Sequence, residues 1–384
     1  MDYALLSYGF PDLPNISNTG NIIQSVAAAQ FLPKIDALVP MLEMDKYIPK
    51  HETKMIMNGF WFEHYFAENC PAYLSDQILH SWDNIVPLLI SMHFDGLNSS
   101  NHLPAVREET KQLFIKNGPV GTRDAAGAAF LHNNGIEAYK SLCLTLTLKR
   151  RAGIANNNRL LLVDLSDKLA KKLKAQSDDE AIDITHLLKH YWAEKESKGI
   201  EEIAVAEYLL DMIQGARMVV TSRLHIALPS LALGTPVVFV PDTGENGKMC
   251  GDIRKNTRLS DYMTLLNTMS SKAIMRNQVR IDVNNPVKNS DKYLVYRDAL
   301  VEKVNEFIGN ECPYNEEEYR CSVYEKMTEI NKDDVINMSN HMVTQMAVIH
   351  NRYRDAFLKK IMVRCGTSLG ILREPSRFYL KGDK

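Results

Sequence analysis

The sequence of 384 residues carries almost no net charge: 45 Lys and Arg against 47 Asp and Glu leave −2. That balance excludes a protein that wraps nucleic acid, which needs a basic excess to neutralise phosphates. An anion must instead be met by a few placed groups. Cysteine is sparse, and the six present (Cys70, Cys143, Cys250, Cys312, Cys321 and Cys365) form no CxxC pair and no zinc-ligand spacing. Scattered thiols suit a reducing compartment, so a cytoplasmic protein without disulfides is expected. No long apolar run occurs. The longest charge-free apolar stretch, Ile226 to Val240, is broken by Pro229, Gly234 and Pro236 and is too short to span a bilayer. The opening MDYALLSYGF has no basic region and no cleavage site, so no signal peptide is expected. A GxGxxG fingerprint and a GxSxG elbow are missing, and Gly244, Gly247 and Lys248 do not complete a P-loop.

What is present reads as α/β. At roughly 100–200 residues per domain the length predicts two domains. Tyr3 to Tyr8 reads as a short strand, GFPDLPNISNTGN as a loop, and IIQSVAAAQFL as a helix with apolar residues at helical spacing. Short apolar runs at Lys54–Met57 and Val86–His93 read as further strands. In PVGTRDAAGAAFLHNNG a strand turns into a helix, with Thr122 as the expected N-cap, Asp124 suiting the positive helix start and Gly135 the stop. Basic, polar KRRAGIANNN marks the expected junction, and beyond it the pattern restarts. RLLLVDLS and ARMVVTS read as buried strands, SDKLAKKLKAQ and IEEIAVAEYLLDMIQG as helices, and RLHIALPSLALG as a helix bent at Pro229. VVFVP reads as another strand. The expected layout is domains over 1–150 and 151–310, each a parallel sheet covered by helices, and a charged, helical extension over 311–384.

The sharpest motif is Thr221-Ser222-Arg223-Leu224-His225, where a buried strand gives way to a helix. Ligands bind at the carboxyl ends of such strands. The free N–H groups of a helix start attract phosphate or carboxylate, and Arg223 adds a planar two-point grip. His225 is placed to gain or lose a proton beside a bound anion. The plain alternative is that Arg223 pairs with a structural carboxylate and His225 is a satisfied core histidine. Gly121-Thr122-Arg123-Asp124 repeats the logic in the first half, with a surface ion pair from Arg123 as its alternative. Asn18, Gly20 and Asn21 open the first helix. The asparagines either bind a sugar or cap the helix, and Gly20 permits close backbone approach. Asn58-Gly59 reads as a turn by default and as a cleft wall if the fold allows. His93 lies near a strand's carboxyl end and is a second acid–base candidate. His186 and His190, four apart, are read as a solvated helix face rather than a metal pair, for want of a third ligand.

Taken together, NTGNIIQSVAAAQFLP, MNGFWF, IVPLLISMHF, GPVGTRDAAGAAFLHNNGIEAYKSLCLTLTL and ARMVVTSRLHIALPSLALGTPVVFV resemble the polysaccharide pyruvyl transferase family. The resemblance spans most of residues 15–240, with Arg-Leu-His followed by ALPSLALGTPV the most specific piece. It implies a GT-B-like architecture, two Rossmann-like domains facing across a cleft. Phosphoenolpyruvate is then the donor, and a sugar or glycolipid the acceptor of a cyclic pyruvate ketal. No cofactor and no metal is implied, and a lipid-linked acceptor would bring peripheral membrane contact. Thr221, Ser222, Arg223 and Arg123 would hold the donor. Asn18, Gly20, Asn21 and Asn58 would line the acceptor side, and His225, Arg223 and His93 would carry the chemistry. Asn21 stands where many relatives have an acidic residue. A GT-B glycosyltransferase using a nucleotide-sugar shares the expected fold, but only Glu245 is even loosely placed as its ribose carboxylate. A non-catalytic sugar-binding relative is the third reading, against which the Arg223/His225 pair speaks.

Overall fold

Alternating strands and helices build two parallel sheets, as the pattern predicts. The structure is a computed structural model. It describes residues 1–8, 11–13, 16–41, 44, 47–61, 84–94, 106, 108–177, 181–189, 200–241, 257–315 and 322–327. The chain divides into two units, Met1–Thr328 and Glu329–Lys384, and all described residues belong to the first.

The first sheet starts with β1 (Asp2–Ser7), and its strand order places β1 between β4 (Ala37–Pro40) and β5 (Thr53–Trp61). Beyond β5 come β6 (Ile85–Phe94), β7 (Val120–Thr122) and β8 (Ala138–Lys140), all parallel. Helices α1 (Thr19–Ala29), α2 (Glu108–Asn117) and α3 (Ala125–Asn133) connect the strands. One core under this sheet joins Leu6, Val39, Met55, Leu89, Phe94, Phe114 and Phe130. The second sheet has the order β10 (Ala181–Ile184), β9 (Leu160–Val163), β12 (Met218–Thr221), β13 (Val237–Phe239), β14 (Asn267–Thr268), again all parallel. Its helices are α4 (Asp167–Gln176), α5 (Ile200–Gly215), α6 (Leu224–Ala232), α7 (Thr257–Met263) and α8 (Ser271–Met275). Leu160, Leu162, Leu169, Met218, Val220, Val238 and Ile274 form its core. In both sheets the first strand lies between the second and the third. The strand order therefore reverses beside β1 and again beside β9.

Four expectations need correction. The GFPDLPNISNTGN segment is not all loop. It contains β2 (Pro11–Leu13) and β3 (Ile16–Asn18), and β3 also pairs antiparallel with β11 (Leu187–Lys189) from the other half. Its polar composition hid a small sheet whose backbone partner lies about 170 residues away in sequence. The His186 region is therefore a strand pair rather than a helix, and His186 is buried at 3% exposure; His190 lies outside the described residues. Asn58-Gly59 is not a turn: β5 runs through it to Trp61 with a shift of register, and Gly59 adopts φ +92. A Cβ at Gly59 would lie 2.4 Å from the Tyr8 hydroxyl oxygen, so only glycine fits that bulge. Finally, the N-cap of α3 is Asp124, whose Oδ1 accepts from the Gly127 amide at 2.8 Å, and not Thr122.

The basic segment 149–158 is pinned to α5. Arg151 donates to Asp211 and Glu207, and its backbone exchanges hydrogen bonds with the Gln214 side chain. Helix α9 (Leu294–Ile308) returns to the first half, where Lys54 Nζ donates to the Phe307 carbonyl at 2.6 Å. Of the expected helical extension, residues 311–315 and 322–327 are described and form short 3-10 turns and a parallel bridge from Met327 to Ile35; the remainder lies outside the described residues. Among the described residues no helix is long and apolar enough to cross a membrane, and Cys143 and Cys312 are free and buried.

Candidate functional site

Arg123 follows β7, two residues before α3. Its amide donates to the Met92 carbonyl at 2.8 Å and its carbonyl accepts from the Tyr262 hydroxyl at 2.8 Å, so the backbone is held on both sides. The side chain is 2% exposed. Its Nη1 meets His225 Nε2 at 2.8 Å, while Nε and Nη2 have no hydrogen-bond partner. A guanidinium only donates, so His225 Nε2 must be the acceptor and the ring is neutral in this arrangement. The surface ion pair foreseen as the alternative for Arg123 does not form with Asp124. That carboxylate caps α3 through Oδ1 and faces His93 Nδ1 at 3.0 Å through Oδ2. His93, at 4% exposure, thereby fixes the residue next to Arg123.

His225 sits in the first turn of α6, against the start of α1. A Cβ on Gly20 would lie 2.7 Å from His225 Cβ and 3.1 Å from its Nδ1, so glycine lets the two helix starts close on each other. Pro229, inside α6, has no N–H to offer the His225 carbonyl one turn earlier. Asn18 caps α1, its Oδ1 accepting from Gly20 N at 3.0 Å, and Asn21 Oδ1 accepts from Gln24 Nε2 at 3.4 Å. Asn58 Nδ2 donates to the Gln24 carbonyl at 3.0 Å, whereas Asn58 Oδ1 and Gln24 Oε1 are buried acceptors with no partner. The structure thus brings Arg123, His225 and Gly20 together, with Asn18 beside Gly20 and Asn58 one helical turn away at Gln24.

Arg223 has a carboxylate neighbour: its Nε lies 3.6 Å from Asp164 Oδ2, the pairing its alternative reading foresaw. Thr221 Oγ1 accepts from the Arg223 amide at 3.0 Å, and Ser222 Oγ donates to the Asp164 carbonyl at 2.7 Å, so both hydroxyls shape this turn. Asp164 and His186 were not singled out as partners from the sequence. The signal was available, because an Asp directly after the buried run LLLV stands at a strand's carboxyl end, as Arg223 does. Asp164 Oδ2 faces His186 Nδ1. Oδ1 accepts from Thr185 Oγ1 at 2.6 Å. Burial pushes the carboxyl up, but the His186 and Arg223 charges and the hydrogen bonds from His186 and Thr185 outweigh it and hold the group at about 2. Among the described residues no three His, Cys, Asp or Glu side chains gather as a metal set.

A model of the polysaccharide pyruvyl transferase family matches residues 18–242, more than half of the chain, and takes in Asn18, Asn58, Arg123, Asp164, Arg223 and His225. This chain is a member of the polysaccharide pyruvyl transferase family. The match begins at Asn18, the cap of α1, and extends just past β13, so it covers both arginine turns. No curated protein matches. Among solved structures, the chain is similar to "a functional uncharacterized protein KP1_0663" from Klebsiella pneumoniae subsp. pneumoniae NTUH-K2044. The identity is 13%, with 70% of this chain and 92% of that one covered, at a TM-score of 0.34. For this pyruvyl transferase relative, the family match therefore carries the identification.

Proposed function

We propose that the protein is a pyruvyl transferase that moves the pyruvyl group of phosphoenolpyruvate to a sugar or glycolipid acceptor, forming a cyclic ketal. The observation that carries this reading is the Arg123 guanidinium, 2% exposed, with two nitrogens unpartnered. A buried cation without a counter-charge is costly, so such a group is kept for an anion that arrives. Nε and Nη2 form one edge of the guanidinium fork, the edge that takes a phosphate or carboxylate in a bidentate grip. The unpartnered acceptors Asn58 Oδ1 and Gln24 Oε1 have the opposite polarity and suit hydroxyl donors of a sugar. Asn18, Gly20 and Asn21 belong to that acceptor side.

In this reading the two sheets form domains over 1–150 and 151–310 that face each other across a GT-B-like cleft. The anionic donor lies between Arg123 and the α6 start, where Thr221 and Ser222 shape the turn and Arg223 adds positive charge. His225 enters neutral. An anion on Arg123 favours protonating the ring, and His225 then serves as the acid at the terminal alkene carbon or the leaving phosphate. Preorganised positive charge on the phosphate contributes most, since charge moves onto it as it leaves. His93 acts through Asp124 to hold Arg123. No cofactor is invoked. A cytoplasmic enzyme with a lipid-linked acceptor would work at a membrane surface.

The test is incubation with phosphoenolpyruvate and a panel of galactosides and N-acetylmannosamine glycolipids, with phosphate release and acceptor mass as readouts. Wild type is expected to release phosphate only with an acceptor present. Arg123→Ala should lose about 100-fold or more in kcat/KM while remaining folded, the scale of removing a charge-stabilising donor. Consumption of a nucleotide-sugar with no use of phosphoenolpyruvate would overturn the donor assignment.

A further inference from the structure

The pairing of Asp164 with His186 has no part in the chemistry above. Asp164 follows β9 with φ +52, a left-handed conformation that Asp tolerates better than most residues and that its surroundings fix here. The enforcement is visible. Its amide donates to the Ile184 carbonyl at 3.1 Å, and its carbonyl accepts from Ser222 Oγ at 2.7 Å. Its carboxylate takes Thr185 Oγ1 at 2.6 Å, the His186 amide at 3.2 Å and His186 Nδ1, with Arg223 Nε at 3.6 Å. A carboxylate so saturated fixes the imidazole: Nδ1 carries a proton for Asp164, which leaves Nε2 as the nitrogen that can gain or lose one. Among the described residues Nε2 has no hydrogen-bond partner, although the residue is only 3% exposed. Nε2 is therefore the ring nitrogen left for a ligand.

We propose that His186 is a second catalytic histidine, a general base whose Nε2 takes a proton from an acceptor hydroxyl, with Asp164 as its positioning residue. The proposal rests on the pyruvyl-transfer reading. Its place in the fold supports it. The His186 carbonyl accepts from the Thr19 amide at 3.1 Å, and the next residue, Gly20, abuts His225. Both histidines therefore lie against the start of α1. The stoichiometry of ketal formation calls for two such groups. Two hydroxyl oxygens form C–O bonds to the central carbon of phosphoenolpyruvate, and both hydroxyls lose their protons. One proton ends on the methylene carbon, which becomes methyl as the C=C electron pair takes it up. The other ends on the phosphate, which leaves with the C–O bond pair as hydrogen phosphate. One histidine must deliver a proton while another receives one. His225, hydrogen-bonded to the anion-facing Arg123, suits delivery, and His186, backed by a carboxylate that stabilises imidazolium, suits receipt.

The experiment compares wild type with His186→Gln, His186→Ala and Asp164→Asn, each as the full chain. His186→Gln is expected to lose about 100-fold or more in kcat, with KM for phosphoenolpyruvate nearly unchanged and the fold intact by circular dichroism. Added imidazole should restore part of the activity of His186→Ala, which a merely structural histidine would not allow. If the variants do not fold, the wild-type side-chain 15N spectrum decides. The neutral His186 ring should carry its proton on Nδ1, and a neutral ring with its proton on Nε2 would overturn the proposal. Wild type active and folded His186→Gln within about threefold of it would remove this proposal alone. A wild type that transfers no pyruvyl group to any acceptor would remove the donor reading and this proposal with it.

Discussion

Gly20 occupies a position where any side chain strikes His225. Two effects of Gly20→Ala oppose each other. Alanine in the first turn of α1 favours the helix by up to about 1 kcal/mol. The new methyl would lie 2.7 Å from His225 Cβ and 3.0 Å from Asn18 Oδ1, and neither is the loose end of a flexible chain. Overpacking of that kind costs about 1–3 kcal/mol and displaces the ring, so crowding wins. The variant should unfold at lower urea concentration and lose activity beyond what its stability loss explains, measured by denaturation and by kcat on the same preparation. Asp164 gives a second residue-scale expectation. Its carboxyl is lowered from 3.8 to about 2. A depressed carboxyl stabilises the fold above its unfolded pKa, and the contribution vanishes as pH falls through its folded pKa. Roughly 2 kcal/mol is therefore present at pH 5 and above, fades below pH 4 and is gone near pH 2. Urea denaturation at pH 5 and pH 3 should show a smaller drop in Asp164→Asn than in wild type.

Helix α1 shows how an element is held at both ends. Asn18 caps the start, while at the end the Lys326 ammonium donates to the Ala29, Gln30 and Leu32 carbonyls at 3.1, 3.1 and 2.9 Å. A cation there also complements the negative end of the helix dipole. Lys326 is 8% exposed, so Lys326→Met leaves buried carbonyls unpaired. It should cost about 3 kcal/mol, read as a fall in the urea midpoint at unchanged slope. The sequence could not announce this contact, because a lysine almost 300 residues downstream carries no local pattern. The same contrast runs through the fold. Buried runs such as LLLV, MVVT and VVF stood out as strands because an apolar stretch bounded by polar turns has no other home in a parallel sheet. Hairpin β2–β3 did not, since its polar residues owe their strand conformation to β11. In the site, Arg123, Arg223 and His225 were legible because each stands at a strand-to-helix turn. What each side chain meets was not, because Asp164 and Tyr262 reach these turns from segments far away in sequence.

At the scale of the molecule, the two sheets are tied by several contacts, among them two at the Arg123 turn. Asp261 of α7 accepts from the Ala125 amide at 2.9 Å, at the start of α3, and from Lys140 Nζ at 3.0 Å. Tyr262 holds the Arg123 carbonyl, β11 pairs with β3, and α9 anchors Lys54 while Tyr3 donates to Glu311 at 2.9 Å. These links run between the halves in both directions of the chain, all within Met1–Thr328. Neither sheet can open without breaking bonds at the start of α3, so the halves should unfold together. A ligand that binds only the folded unit then raises the stability of both sheets at once. With phosphoenolpyruvate at 100 times its dissociation constant the gain is about 2.7 kcal/mol. Near-UV and far-UV circular dichroism in urea should give one coincident transition for this unit, displaced as a whole by the ligand. Asp261→Ala should lower the midpoint and weaken the ligand-induced shift, because the turn that presents Arg123 loses its brace. A displacement confined to one probe would mean that the sheets melt separately and that the links through Asp261 and Tyr262 carry little energy.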